Sequence, residues 1–364
     1  MSNNGFTKKF GIDNLIKNVT VVDAICFLIE NSIDAAEKAM ILNPSKEYHI
    51  DLELSSEKLV IKDNCLGIKV KDAEKYLLKI QKKQKFNDKY GEGLKKAIFV
   101  LGNEIKIESF NENKLKLDLK IMKENDDDLW KPTFTKGECN DNYKGFSIEI
   151  GDLTKDFQMY LLRNQYDEII TRIKIKYRYI IYYSNIKISF NGEILEPKFI
   201  NADKVYEEEA IINNDEIKVI LYNNIKNKDD NGIDFIINNR VIIEKEKSSK
   251  ISWNKRIIAR KHSYTKFFGE VIINSNNIKD LGVSPSHNSI NLNSKRFFTI
   301  LDFMNCVIEN NRDYYRKSFI TVQLEIDEND LNEWKGKLER EGDSFKYAKD
   351  VIEKLYKIGV NNIG

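Results

Sequence analysis

The stretch VVDAICFLIENSIDAAEKAM, residues 21–40, decides how the rest of the sequence is interpreted. Its apolar residues recur at the spacing of one helix face. They are Ile25, Leu28 and Ile29. Thr20 stands three residues before Asp23, which is the spacing of a capping box at a helix start. The sequence therefore predicts a helix that begins after Thr20 and continues to about residue 40.

The other side of this predicted helix carries polar residues and one aromatic residue. The positions that recur there are Asp23, Phe27, Asn31 and Asp34. Asn31 and Asp34 lie one turn apart, so their side chains share a face. Isolated Asn and Asp are usually exposed to water, so a solvated edge is one interpretation and a polar site is the other.

A predicted β-hairpin follows the helix. Residues 48–54 place Ile50, Leu52 and Leu54 on one face, and a second short strand covers residues 58–62. The hairpin ends in DNCLG, residues 63–67. Asp-Asn followed by Gly is also a common turn sequence, so by itself the segment does not distinguish a turn from a binding loop.

Two glycines precede the next predicted helix. A lysine-rich stretch leads into YGEGLK, residues 90–95, and apolar residues then recur at helical spacing. These residues are Leu94, Ala97, Ile98 and Leu101. Glycine amides at a helix start can bind phosphate oxygens, because no side chain blocks the approach and the helix dipole favours an anion. A plain turn into a helix is the alternative.

A basic stripe occupies residues 172–178. Its cations are Arg172, Lys174, Lys176 and Arg178, and they alternate with Ile173, Ile175, Tyr177 and Tyr179. Strict alternation favours a strand with one basic face, with a long helix as the alternative. The stripe is a candidate surface for nucleic acid, and a solvated basic surface is the competing interpretation.

Composition limits the classes of protein. The chain has 364 residues, 41% hydrophobic and 32% charged, which is typical of soluble globular domains and favours two of them. The net charge of +2 does not indicate a nucleic-acid partner. The cysteines lack metal-ligand spacing, and the sequence predicts no signal peptide or membrane span, so a cytoplasmic protein is expected. They are Cys26, Cys65, Cys139 and Cys306.

Three motifs, taken in order, resemble the N box and the two glycine boxes of the GHKL ATPases, which include DNA gyrase B subunits, heat-shock chaperones, histidine kinases and MutL. They are ENSIDA at 30–35, DNCLGI at 63–68 and YGEGLK at 90–95. GFSIEI at 145–150 resembles the Gly-Thr strand of this superfamily.

The layout downstream is similar to that of MutL and MORC proteins. YDEII at 166–170 and NG at 191–192 resemble the stretch that joins the two N-terminal domains of MutL. FIINNRVI at 235–242 resembles its transducer hairpin, and DLGVSPSH at 280–287 resembles its phosphate-sensing loop. The resemblance covers about residues 20–295.

The resemblance implies a site for ATP and Mg²⁺. Its residues would be Asn31, Asp34, Asp63, Gly67, Ile68, Gly91, Gly93, Leu94, Lys95, Ser147 and His287. Asn31 would give its side-chain oxygen to Mg²⁺, and Asp63 would accept a hydrogen bond from the adenine amino group. Residues 91–95 would hold phosphates as part of a lid whose closure promotes dimerisation.

The sequence departs from the family pattern where hydrolysis depends on it. The family's general base is a Glu four residues before the Mg²⁺-binding Asn, and here that position is Phe27. Glu30 is a substitute base with unfavourable geometry, because adjacent helix residues point about 100° apart. Other departures are Cys65 for a glycine, Phe146 for a threonine and His287 for a lysine.

We therefore expect an α+β protein with a Bergerat-type α/β sandwich at residues 1–195, a transducer-like α+β domain at 196–310 and C-terminal helices at 311–364. The main hypothesis is an ATP-dependent switch that dimerises or binds a partner protein, with weak hydrolysis or none. The rival hypotheses are a true ATPase that uses a displaced or partner-supplied group, and a DNA-binding protein of the MutL or MORC kind. A role in bacterial phage defence is a further guess.

Overall fold

The computed structural model describes residues 8–68, 92–110, 114–120, 131–137, 145–163, 166–251, 267–284 and 289–311. Several predicted features lie outside these residues. The sequence also predicts a helix at 72–80, an acidic loop at 124–128 and a helix at 330–358, and these lie outside the described residues together with the lysine-rich stretch at 81–89, Gly91 and His287.

The described residues form helices and strands in mixed order. The helices are α1 (Lys8–Ile16), α2 (Val21–Leu42), α3 (Glu92–Leu101), α4 (Lys155–Leu162), α5 (Tyr166–Lys176), α6 (Arg178–Tyr183) and α7 (Lys295–Asn310). The first strands are β1 (Tyr48–Leu54), β2 (Leu59–Asp63), β3 (Gly102–Phe110), β4 (Lys114–Lys120), β5 (Lys131–Gly137), β6 (Gly145–Leu153), β7 (Ile186–Phe190) and β8 (Glu193–Ile194). The later strands are β9 (Asp203–Ile212), β10 (Asp215–Asn223), β11 (Gly232–Ile237), β12 (Arg240–Glu246) and β13 (Phe268–Asn274).

The chain divides into two compact units built from interleaved segments. The first unit contains residues 1–199, 235–243 and 274–297, and the second contains 200–234, 244–273 and 298–364. Each unit is described below by itself.

The first unit contains an eight-stranded sheet with the order β5-β4-β3-β6-β2-β1-β7-β8. β6 pairs antiparallel with both β2 and β3, and β1 pairs parallel with β7. Buried and more exposed residues alternate along β3 and β6, so one face of the sheet is apolar. Helix α2 packs on β1 and β2 and against α3, α4 and α5. A sheet covered by helices on one face confirms the predicted α+β class.

Helix α2 begins as the sequence predicts. Thr20 Oγ1 accepts a hydrogen bond from the backbone N of Asp23 at 3.0 Å, and the backbone N of Thr20 donates to Asp23 Oδ2 at 3.2 Å. These two bonds form the capping box. The helix then buries Ile25, Leu28 and Ile29 in the core, so the predicted apolar face is confirmed.

The strand favoured for the basic stripe is wrong, because residues 166–176 and 178–183 are the helices α5 and α6. The face assignment is also wrong for two of the four cations: Lys176 and Arg178 are buried, while Arg172 and Lys174 are partly exposed. Charged and apolar residues alternate here with a period of two, which is the pattern of a strand. Both apolar and polar side chains of α5 and α6 are buried, so this pattern alone predicted the wrong secondary structure.

A five-stranded sheet has the order β12-β11-β13-β10-β9. The sequence predicts strands at residues 216–222, 232–237, 240–243 and 270–274, which agree with β10 to β13, whereas it does not predict β9. β9 carries three consecutive glutamates, and its residues are at most half-buried, which weakens the alternation of polar and apolar residues.

Among the helices that the structure describes, none combines the length and the apolar composition that a membrane span needs.

Candidate functional site

Asp63 is a buried carboxylate at the end of β2. Its side chain is held from three directions. Ser32 Oγ on α2 donates to Asp63 Oδ2 at 2.7 Å. The backbone N atoms of Cys65 and Phe146 donate to Asp63 Oδ1 at 3.0 and 3.2 Å. These bonds fix the carboxylate between helix α2, the loop after β2 and strand β6, so the side chain is preorganised to accept a further hydrogen bond from a ligand.

Burial is the main influence on the electrostatics of this position. It raises the pKa of Asp63 above its ordinary value, and the hydrogen bonds from Ser32, Cys65 and Phe146 oppose the shift. Burial, together with the neighbouring Asp63, also raises the pKa of the Cys65 thiol. Cys65 is therefore a neutral, buried thiol that fits where the family resemblance has a glycine.

The loop after Asp63 passes close to strand β3 and the start of β6. A Cβ placed on Gly67 would lie 2.6 Å from the carbonyl O of Phe110 and 2.8 Å from that of Gly145. Any larger residue at position 67 would therefore clash with backbone. The next residue, Ile68, donates its backbone N–H to Ser109 Oγ at 2.6 Å. Glycine is thus required to bring this loop against the sheet.

Asn31 lies on α2, one position before Ser32, and is exposed. Its amide nitrogen donates to the carbonyl O of Phe27 at 2.8 Å, and its amide oxygen has no partner among the described residues. A side-chain oxygen is the ligand type that Mg²⁺ prefers. No group of three or more His, Cys, Asp or Glu side chains in the described part of the chain could hold a metal, so Mg²⁺ here would depend on Asn31, phosphate oxygens and water. The residues present therefore fit a Mg²⁺ ion whose other ligands are phosphate oxygens and water.

Phe27 lies one turn before Asn31 and is only 2% exposed. It belongs to the hydrophobic core of the first unit. A Cβ placed on Gly93, at the start of α3, would lie 3.5 Å from Phe27 Cβ, so the aromatic residue packs under the beginning of that helix. Leu94 and Lys95 follow on α3 and are buried. The position of the family's general base is therefore filled by a core side chain.

Ser147 does not join these residues. It lies on β6 directly after Phe146, which pairs with Asp63, and β6 has buried Phe146, Ile148 and Ile150 on one face. Side chains alternate along a strand, so Ser147 projects to the opposite face together with Glu149. Glu149 forms ion pairs with Lys58 and Lys106 on that face. The prediction that Ser147 contacts the nucleotide is therefore not supported by its placement.

Glu30 is buried between two cations. Its Oε1 lies 3.0 Å from Lys176 Nζ, and its Oε2 accepts from Arg240 Nε at 2.8 Å. A carboxylate with both oxygens in ion pairs is a poor acceptor for a proton from water. The geometry therefore argues against Glu30 as a substitute base.

Asp34 is also engaged by the same arginine. Arg240 Nη2 donates to Asp34 Oδ1 at 2.9 Å. Asp34 therefore lies with Glu30 on a charged side of α2, next to the side that carries Asn31. Arg240, Ser32 and Lys176 were not predicted as parts of this region. The only sequence signal for Arg240 was its place after Asn-Asn in the hairpin motif.

A cavity in the described part of the chain lies away from these residues. It measures about 930 Å³ and is lined by residues of α1, α3, β3, β6 and α4, among them Ile16, Phe99, Asn103 and Leu153. β6 runs from Phe146, which pairs with Asp63, to Leu153. At about 3.3 Å per residue, this strand places the cavity at the other end of the sheet from Asp63.

Comparison with known families agrees with the motifs. Residues 19–147 match the family described as histidine kinase-, DNA gyrase B-, and HSP90-like ATPase. No curated protein matches the chain. The matched segment contains helix α2 with Asn31, the hairpin that ends at Asp63, the loop at Gly67 and the start of α3 at Gly93. This segment is therefore similar to the ATP-binding domains of the GHKL ATPase superfamily, which bind ATP, usually with Mg²⁺.

Proposed function

We propose that this protein is a nucleotide-dependent switch that binds ATP with Mg²⁺ and changes shape or assembly without efficient hydrolysis. The observation that carries the proposal is the geometry of Asp63, a buried carboxylate fixed by Ser32, Cys65 and Phe146. Such a group can accept a hydrogen bond from the adenine amino group with little reorganisation, because its partners already define its orientation. In this proposal Asn31 binds Mg²⁺ at the phosphate end.

Weak or absent hydrolysis is inferred from two side chains on α2. Phe27 occupies the position expected for the general base, and a phenyl ring cannot take a proton. Glu30, the nearest carboxylate in sequence, is paired with Lys176 and Arg240. Neither residue is placed to activate a water molecule, so binding rather than turnover is the proposed activity.

The partner of the switch is proposed to be a second copy of the chain or another protein. Support comes from the start of α3, where Gly93, Leu94 and Lys95 belong to the segment expected to act as a lid and Gly93 packs against Phe27 of α2. A ligand that contacts both α2 and this helix start would favour one arrangement of the lid, and differential affinity for two arrangements is what shifts a population.

Calorimetric titration of ATP with and without Mg²⁺, together with phosphate release from the same sample, tests the proposal. We expect binding that strengthens with Mg²⁺, no phosphate release above background, and a change in sedimentation with ATP. Asn31→Ala should weaken only the Mg²⁺-dependent part of binding. Steady phosphate release that is lost in Glu30→Gln would instead support the true ATPase. The proposal fails if Asp63→Ala and Asn31→Ala both leave ATP affinity unchanged.

An exposed aromatic cluster favours a second function, the binding of single-stranded nucleic acid. Tyr182 and Tyr183 are 63% and 69% exposed, and their ring centroids lie 4.7 Å apart. Phe199 contacts Tyr182 edge to face at 5.6 Å. Lys198 directly precedes Phe199, its backbone N donates to the carbonyl O of Lys174 at 3.0 Å, and neither lysine forms an ion pair with another described residue. Exposed rings beside unpaired cations suit stacked bases and a phosphate backbone.

Fluorescence anisotropy with a labelled oligo-dT strand and a duplex of equal length tests this second function. We expect the single strand to bind more tightly, with affinity falling as salt rises. Replacing Tyr182 and Tyr183 with Ala should weaken binding, whereas replacing Met159 and Leu162, two exposed apolar residues on α4, should not. Unchanged binding in the tyrosine variant, or a changed oligomeric state without a change in binding, would exclude it.

A further inference from the structure

Arg240 is the centre of a buried ion cluster in the first unit. Its side chain is 2% exposed and reaches three carboxylates of α2. Nε donates to Glu30 Oε2 at 2.8 Å, Nη2 to Asp34 Oδ1 at 2.9 Å, and Nη1 to Glu37 Oε1 at 2.9 Å. A second bond runs from Nη2 to Glu37 Oε2 at 3.0 Å, so this carboxylate is held in bidentate fashion. Charge-assisted bonds of this kind are the stronger ones in proteins.

The hairpin between β11 and β12 presents this arginine in a fixed orientation. Asn238 and Asn239 both have positive φ, 46° and 65°, as the two central residues of a type I′ turn require. The Asn238 side chain exchanges two hydrogen bonds with the backbone of Ser275, each 2.9 Å long. The carbonyl O of Asn238 accepts from Arg240 Nη1 at 3.0 Å. The turn and the guanidinium are therefore preorganised together.

The three carboxylates form one stripe along α2, at positions i, i+4 and i+7. The guanidinium group is planar and its donors have a fixed geometry. It can reach all three carboxylates only when α2 has one rotation about its axis and one position along it. These bonds therefore tie α2 to the hairpin in rotation and in position along its axis, in addition to pairing its charges.

We propose that Arg240 is a positioning residue for the metal and phosphate end of the nucleotide site. The inference rests on the proposed function, because it takes Asn31 as the Mg²⁺ ligand. Asn31 follows Glu30 directly and points about 100° around the helix from it. A small rotation of α2 would move the Asn31 oxygen away from the ion, and a displacement of about 1 Å is enough to weaken a metal site that needs near-ideal geometry.

The adenine end depends less on Arg240. Asp63 lies on β2, and two of its three fixed partners are backbone N atoms of Cys65 and Phe146, which are outside α2. Ser32 connects it to the helix. Loosening α2 should therefore weaken recognition of Mg²⁺ and triphosphate and leave recognition of the nucleoside nearly unchanged.

Calorimetric titrations with MgATP and with adenosine separate the two ends in the full-length protein. In Arg240→Met we expect MgATP affinity to fall about tenfold, within the usual range for coupled sites, while adenosine affinity changes by less than about twofold. Arg240→Lys keeps the charge but loses the planar group, so it should give an intermediate loss. Lys245→Met is the matched control, because Lys245 is on the same strand and pairs with Asp230 instead of α2.

Glu37→Gln supplies the same test if Arg240→Met does not fold. Glu37 is partly exposed, and its amide would keep the shape but lose the charge of one partner. Equal weakening of MgATP and adenosine in the folded variants, or no weakening of either, overturns the inference. Failure of the wild-type protein to bind both ligands instead refutes the proposed nucleotide site itself, so the two failures are distinguishable.

Discussion

Two sides of helix α2 differ in polarity and in what they contact, although their residues come from one short stretch of sequence. One side has Phe27 in the apolar core and Asn31 exposed beside it. The other side has Glu30, Asp34 and Glu37 joined to Arg240. The first side has Asn31 but no carboxylate at the position of the family's general base, whereas the three carboxylates of the second side all pair with Arg240. Carboxylates on this helix are therefore not evidence of hydrolysis, because here they pair with Arg240.

Making the apolar side charged should have the largest effect. Phe27→Glu would bury a carboxylate among apolar core residues, which should lower the free energy of unfolding by about 3–5 kcal/mol. Phosphate release should stay at background. Denaturant unfolding and a phosphate assay provide the measurement, and Phe27→Leu, which keeps an apolar side chain, is expected to cost less stability. A stable Phe27→Glu protein that hydrolyses ATP would show that the position still faces the nucleotide.

Removing the fixed carboxylate next to α2 should have the second largest effect. Asp63→Ala deletes a charged acceptor, and hydrogen bonds to charged groups are worth about 1.5–3 kcal/mol, which corresponds to a loss of about 10- to 150-fold in ATP affinity. Calorimetry gives the affinity, and circular dichroism checks the fold. Ser32→Ala, which removes only one of the three partners, should lose less. Equal losses in both variants would mean that Ser32, and not the carboxylate, is the main determinant.

Acidification should weaken nucleoside binding without unfolding this site. Because burial raises the pKa of Asp63, its proton binds at a pH above the range of an ordinary aspartate. Protonation removes the charged acceptor, so adenosine affinity should fall by at most about tenfold per pH unit below that pKa. The folded-state pKa lies above the unfolded value, so protonation of Asp63 itself favours the folded state. Calorimetry across the mildly acidic range provides the test, and a flat profile would exclude Asp63 as the acceptor.

The smallest effect should come from the start of α2, which both sides share. Thr20→Ala removes the side-chain half of the capping box and should lower the free energy of unfolding by about 1 kcal/mol. ATP affinity should not change, because Arg240, Lys176 and Asp63 still hold the helix farther along. Thermal unfolding with and without MgATP measures both quantities. A large loss of affinity would show that the helix start, and not the ion cluster, sets the placement of Asn31.

A structural feature could be predicted from the sequence when all the residues that form it lie in one short segment. The capping box needs only Thr20 and Asp23, and the loop at Asp63 needs a hairpin end followed by a glycine. The basic stripe failed for the converse reason. Residues 172–178 are helical, and Lys176 is buried with Glu30 of α2 as its ion-pair partner, a residue far away in the sequence. No local period contains that information.

The sequence by itself determined the helix α2, its capped start, the hairpin that ends at Asp63 and the spacing of motifs that indicates a GHKL domain. Only the tertiary structure decided what those residues contact. It paired Glu30 with Arg240 across 210 positions, turned Ser147 away from Asp63 and enclosed Phe27 in the core. The physical reason is that hydrogen-bond spacing along a helix or strand is local, whereas burial and ion pairing are set by the segments that meet when the chain folds.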